Sequence, residues 1–98
     1  MDIVSAELAA AKAKFPTWPA DPFHALAILG EEFGELTKAV TEATYEPWKS
    51  DLADVRREAI QTAAMAIRFL EGMGGYTFKP DPSHVVRKPD SEPTLPLG

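Results

Sequence analysis

Two stretches of this chain repeat their apolar residues at the spacing of a helix. At about 100° per residue, Leu26, Leu29, Phe33, Leu36 and Val40 fall on one stripe, and Glu31, Glu35, Glu42 and His24 fall on the opposite one. Glu32 lies on the border, beside Ala25, Ala39 and Ala43. Asp21-Pro22 supplies the start signal, an N-cap acid before a proline at the first helical position. A long helix is therefore expected from about residue 22 to residue 44. Ser50 or Asp51 can cap a further helix that reaches about residue 71. Its apolar stripe is Leu52, Ala59, Ala63, Ala66, Ile67 and Leu70, and a second stripe carries Asp51, Asp54, Glu58, Gln61, Met65 and Arg68. Gly72, Gly74 and Gly75 end it, as glycines do at helix C-termini. Residues 2–14, rich in Ala, Glu, Leu and Lys, predict an earlier helix closed by Pro16.

Between these helices, Phe15 to Pro19 and Tyr45 to Ser50 read as connections, the second broken by Pro47. From Lys79 onward five of the nine prolines fall within twenty residues and no period survives, so this end is expected to be irregular. The expected fold is all-α: antiparallel helices in a four-helix-type bundle, over a helical domain at residues 1–75, with an irregular Pro-rich arm at 76–98. Two long helices cannot bury both faces alone, so a homodimer or homotetramer is expected to complete the core.

Composition narrows the chemistry. Ninety-eight residues allow one small domain. The absence of cysteine excludes disulfides and thiolate zinc sites. No apolar run approaches the roughly 20 residues that span a bilayer, and Met1-Asp2-Ile3 lacks the basic and apolar regions of a signal peptide. A cytoplasmic protein without membrane contact is expected. The net charge is -5, and from Glu31 to Glu58 eight acids face four bases, so nearly all the imbalance sits in one stretch. Such a surface repels a nucleic-acid backbone and accepts a polyphosphate only across a divalent cation.

The acids themselves are spaced. Glu32 and Glu35 are three apart, hence neighbours on one helix face, and Glu58 and Gln61 repeat the spacing on the next helix. If the two helices pack antiparallel, both pairs converge in a hard oxygen cage of the kind that suits Mg²⁺ or Mn²⁺. The pattern resembles the MazG-like, all-α nucleoside triphosphate pyrophosphohydrolases, whose signature is Glu-Glu-x-x-Glu, a gap of some twelve to twenty-eight residues, then Glu-x-x-Asp. Glu31-Glu32-Phe33-Gly34-Glu35 matches the first half, the 22 residues from Leu36 to Arg57 form the gap, and Glu58-Ala59-Ile60-Gln61 matches the second half except at its last position. The resemblance covers roughly residues 20–71.

It implies hydrolysis of a (deoxy)nucleoside triphosphate between its α and β phosphates, giving monophosphate and pyrophosphate. It further implies Glu32, Glu35 and Glu58 as metal ligands, with Gln61 or Asp54 as a weaker fourth. Glu31, beside Glu35, becomes the candidate for activating water. Lys38 and Arg68 are the bases expected at the phosphates, with Lys49 and Arg57 as looser candidates. Trp18 and Trp48, in the connections, either seal the bundle ends or stack on a base. A glutamine where the family has aspartate brings no charge. It supports the alternative of a helical oligomerisation or regulatory module that has lost hydrolysis; separately, nothing in the sequence selects a nucleoside triphosphate over another pyrophosphate compound, such as phosphoribosyl-ATP. Asp51 and Asp54 also suit the helix dipole as first-turn acids, Gly34 suits a close approach of helices, and His24 reads as a paired surface histidine.

Overall fold

A computed structural model describes residues 2–89. It contains α1 (Ile3–Lys14), α2 (Pro22–Tyr45) and α3 (Leu52–Glu71), two short 3-10 turns at Met73–Gly75 and Pro82–His84, and no strand among the described residues. The helices begin where local chemistry dictates. The Asp2 carboxylate accepts from the Ser5 N–H at 2.8 Å, and Asp21 accepts from the Phe23 N–H at 2.9 Å with Pro22 in the first turn. Asp51 and Asp54 form a reciprocal capping box, each carboxylate accepting the other's backbone N–H at 2.9 and 3.0 Å. No helix among the described residues is long and apolar enough to cross a membrane.

α3 is the hub: α1 and α2 both pack on it and not on each other. Its register with α2 is antiparallel. Glu42 shares a cleft with Ser50 and Asp54, and Thr62 reaches the Glu32 carbonyl. α1 runs parallel to α3, with Ile3 near Ala53 and Ile60 and Lys12 paired to Glu71 at 2.7 Å. Arg68, only 6% exposed, fastens the crossing from α1 to α2. Its guanidinium donates to the carbonyls of Phe15 and Thr17, lies 3.5 Å from that of Ala11, and covers the Trp18 ring at 4.9 Å. The first residues of the arm close the same corner. The Trp18 indole donates to the Tyr76 hydroxyl, that hydroxyl donates to the Phe69 carbonyl, both at 2.8 Å, and the Thr77 N–H donates to the Ala20 carbonyl. Beyond Tyr76 the arm is irregular through residue 89 apart from the Pro82–His84 turn; residues 90–98 lie outside the described part.

The faces are turned in an unexpected sense. The stripe read from the sequence as the core of α2 faces outward, with Leu26, Phe33 and Val40 exposed (Phe33 by 59%) and only Leu29 and Leu36 half-buried. On α3, Leu52 is 81% exposed and Leu70 and Ile67 are open as well. What packs inside is Ala25 and Ala39 from α2 and Ala64, Met65 and Arg68 from α3, and no large side chain among the described residues is fully buried. The polar stripe of α3 is turned to the seam: Asp54 and Glu58 share a cleft with α2, Gln61, Met65 and Arg68 wall a cavity between α1 and α2, and α1 lies beside Ala53, Ile60 and Arg68. The protein exposes 7741 Å², where a compact chain of 10.7 kDa exposes about 5,500 Å². Three threonines on the open side of α2 bond their hydroxyls inward to carbonyls one turn back, Thr37 to Phe33, Thr41 to Thr37 and Thr44 to Val40, at 2.7–3.0 Å. Gly34 meets no atom within 4 Å of where a Cβ would stand, so it serves no close approach inside the chain.

Gly72 ends α3 for a different reason from the one its sequence position suggests. Its φ of -79° is right-handed, and no described glycine has positive φ. A Cβ there would stand 2.8 Å from the Tyr76 hydroxyl and 2.9 Å from the Trp18 indole. Gly→Ala at an unstrained φ ordinarily stabilises by about 0.4–1 kcal/mol, whereas forcing a methyl into a filled corner costs about 1–3 kcal/mol. Gly72→Ala should therefore lower stability, as read by urea denaturation. A gain would show that the corner is loosely packed.

Candidate functional site

Two hollows lie along the α2–α3 seam. The larger, of about 600 Å³, is walled by Glu7, Ala11 and Lys14 of α1, by Phe15, Thr17, Trp18 and Pro19 of the crossing, by His24, Ile28, Glu31 and Glu32 of α2, and by Gln61, Met65 and Arg68 of α3. The smaller, of about 190 Å³, holds Glu35, Lys38 and Glu42 of α2, Lys49 and Ser50 of the connection, and Asp54, Arg57 and Glu58 of α3. Thr62 stitches the seam between them, its hydroxyl donating to the Glu58 carbonyl at 2.8 Å with the Glu32 carbonyl at 3.2 Å. The carboxylate-bearing turns of both helices are thereby held side by side.

The electrostatics record how close the acids are. Glu32 titrates above its ordinary range, first because it is partly buried, then because Glu58, Glu35, Glu31 and Glu7 repel its negative charge. Carboxylates from all three helices therefore act on one group. Asp54 is held below its ordinary range, chiefly by the Asp51 N–H that it accepts and next by Arg57. Its second oxygen meets Arg57 at 2.6 Å, so the carboxylate is already occupied by the cap and the ion pair.

Of the residues singled out in the sequence, Glu31, Glu32, Gln61, Trp18 and Arg68 line the larger cavity, and Glu35, Glu58, Asp54 and Lys38 line the smaller cleft beside Lys49 and Arg57. Trp48, 77% exposed, lines neither. Arg68 is at the cavity, but its donors are directed to backbone carbonyls. His24 borders the larger cavity. Two contributors were not evident from the sequence motif. Glu7 reaches the acidic group from α1, and its one available signal was that it is the single acid of that helix. Tyr76 follows the last α-helix, where no periodicity points to it.

The donors present are hard oxygens, the chemistry that Mg²⁺ or Mn²⁺ prefers. A divalent cation would relieve the mutual repulsion that raises Glu32. The side chains are gathered without being closed around a point: among the described residues no three His, Asp or Glu groups stand ready to hold a metal ion. The chain matches no family model, no curated protein and no solved structure. Any functional reading therefore rests on the motif and on this geometry.

The raised pKa of Glu32 gives a signed expectation. A carboxyl whose folded pKa exceeds its unfolded value binds its proton more tightly when folded. Its contribution to stability is complete below the unfolded range, about pH 4, and is lost as pH rises through the folded pKa. Metal-free Glu32→Gln should thus melt higher than the parent at pH 7, with the advantage shrinking as the pH approaches 4. Thermal melts across that range check it; an advantage that does not depend on pH would mean that the charge on Glu32 is not what strains the seam.

Proposed function

We propose that this chain is a Mg²⁺- or Mn²⁺-dependent pyrophosphohydrolase acting on a common or modified (deoxy)nucleoside triphosphate, releasing monophosphate and pyrophosphate. The observation that carries the reading is the gathering of Glu58, Glu35 and Glu31 around Glu32 at the motif spacing, next to a cleft that mixes those acids with Lys38, Lys49 and Arg57. Acids alone would repel a triphosphate; acids beside bases suit a metal-bridged one. Glu32, Glu35 and Glu58 would hold the metal, with Gln61 as a neutral fourth donor. Asp54 ranks behind Gln61 because its carboxylate is committed to Asp51 and Arg57. When bound, the metal neutralises phosphate charge and makes the attacked phosphorus more electrophilic.

The chain's own residues supply the remainder. Glu31 orients a water and takes its proton as the water oxygen bonds to the α phosphorus and the bond to the bridging oxygen breaks. Lys38, Lys49 and Arg57 face the departing pyrophosphate. The larger cavity, with Trp18 in its wall, receives the nucleoside. The open apolar faces of α2 and α3 bury against a second copy, giving a homodimer. The inward-bonded threonines favour this, since a hydroxyl already satisfied by its own helix loses little when water leaves.

A second reading has its own support. Gln61 is uncharged, and among the described residues no three acids are closed for a metal, as suits a helical module that has given up hydrolysis. Pyrophosphate release from a panel of nucleotides with Mg²⁺ or Mn²⁺ separates the two. The enzyme releases it, loses about 10²–10⁴-fold in rate as Glu31→Gln, the range for a positioned base, and is inactive as Glu35→Gln or Glu58→Gln. Gln61→Asp should tighten metal binding. No release from any nucleotide, with no Mg²⁺-dependent rise in Tm, would establish the module. For the assembly, sedimentation equilibrium should give about twice the 10.7 kDa chain mass, and Phe33→Glu should halve it. A parent that sediments as a single chain would remove the dimer from this reading.

A further inference from the structure

One wall of the larger cavity comes from a short non-helical strap, Phe15 to Ala20, of which Phe15, Thr17, Trp18 and Pro19 line it. Prolines at 16 and 19 deprive it of donors, so it cannot hold itself in place by a backbone ladder. Three ties hold it. Arg68 collects the Phe15 and Thr17 carbonyls. Thr77 donates to Ala20. Tyr76 uses its single hydroxyl twice, accepting from the Trp18 indole and donating to the Phe69 carbonyl, each at 2.8 Å. Arg68 and Phe69 belong to α3, the helix that also carries Glu58 and Gln61. Tyr76 is thus the piece through which the end of α3 sets the position of Trp18. Gly72 leaves the space for it, with room for no Cβ between the two rings. The ring of Tyr76 is separately supported by Phe69, 5.1 Å away, and by Phe78, so its hydroxyl can be removed without dislodging the ring.

We propose that Tyr76 is a positioning residue: its hydroxyl holds Trp18 and the strap down as a preformed wall of the cavity, so that a ligand entering there meets an ordered surface. A preformed wall spares the ligand the ordering of several residues on binding. The ligand class follows from the nucleotide reading above and rests on it, while the claim about the strap does not. Tyr76 touches neither substrate nor carboxylates in this account and acts only through Trp18.

The test is Tyr76→Phe. In a Trp48→Phe background Trp18 is the sole tryptophan, and its quenching by acrylamide reports access to the wall. Quenching should rise, and exchange of the Trp18 indole N–H and the Thr77 amide should quicken about fivefold to tenfold, as expected for a lost hydrogen bond, while exchange in the middle of α2 and α3 is unchanged. With the four common deoxynucleoside triphosphates as substrates, KM should rise by a similar factor and kcat should stay within about twofold. Gly72→Ser, which crowds the same corner from the other side, should shift quenching in the same direction. Unchanged quenching and exchange in Tyr76→Phe overturn the proposal, as does a fall in kcat at constant KM. Absence of hydrolysis by the parent protein overturns the nucleotide reading alone, because quenching and exchange still decide the role of Tyr76.

Discussion

Everything in this structure follows from the face that α3 turns toward α2 and the cavity. A helix with one apolar and one polar stripe usually turns the apolar stripe inward. Here the polar stripe is turned inward: Glu58 faces α2, and Gln61, Met65 and Arg68 wall the cavity that α1 and α2 share. The leucines and phenylalanine that could have formed a core are left outside. Burial of apolar area is the main source of folding stability, so a single chain built this way forgoes much of it. The interior it keeps is small, made of alanines, one methionine and an arginine.

That inversion has an electrostatic cost. Carboxylates brought together in a partly dry seam repel one another, and Glu32 shows it by holding its proton more tightly than a free side chain would. Native chains seldom keep such repulsion unless it serves a site, because Ala or Gln at the same positions would pack with less strain. The neighbouring acids on α3 are treated differently. Asp54 is neutralised by Arg57 and by the cap, so it steadies the helix start. Two carboxylates one turn apart on one helix, Asp54 and Glu58, line the same cleft, and Asp54 is the one committed to the cap and to Arg57.

How much could be read in advance depends on range. Asp21-Pro22 and the choice of Ser50 or Asp51, resolved as Asp51, announced helix starts correctly because capping is settled within one turn of chain. The helix ends also followed. Antiparallel packing brings Glu58 near enough to repel Glu32, but Glu32 and Gln61 line one hollow and Glu35 and Glu58 the other. Which stripe faces inward did not follow. Periodicity tells which residues share a face, but the neighbour that covers the face is a tertiary fact, and α1, whose apolar residues are spread around the helix, carries no stripe to announce where it will lie. Gly72 was placed rightly for a reason that proved different, space for Trp18 and Tyr76 in place of a left-handed turn. Tyr76 and Arg68 act across more than fifty residues, a range at which pattern carries no signal.

The attachment of α1 is lopsided. Its last turns are fastened by Arg68 near Ala11 and by the Lys12–Glu71 pair, yet no residue of the helix is fully buried, and near its start Ile3 and Ala6 line a hollow of about 410 Å³ with Ala53 and Ile60. Local opening begins where few apolar contacts must be broken. The leading end of α1 is therefore the natural place for the protein to breathe, pivoting on the corner where Arg68 sits and carrying Glu7 away from the other acids as it goes. Because Glu7, Ala11 and Lys14 wall the larger cavity, the same swing would widen its entrance, so the looseness of one helix end becomes a door for solutes.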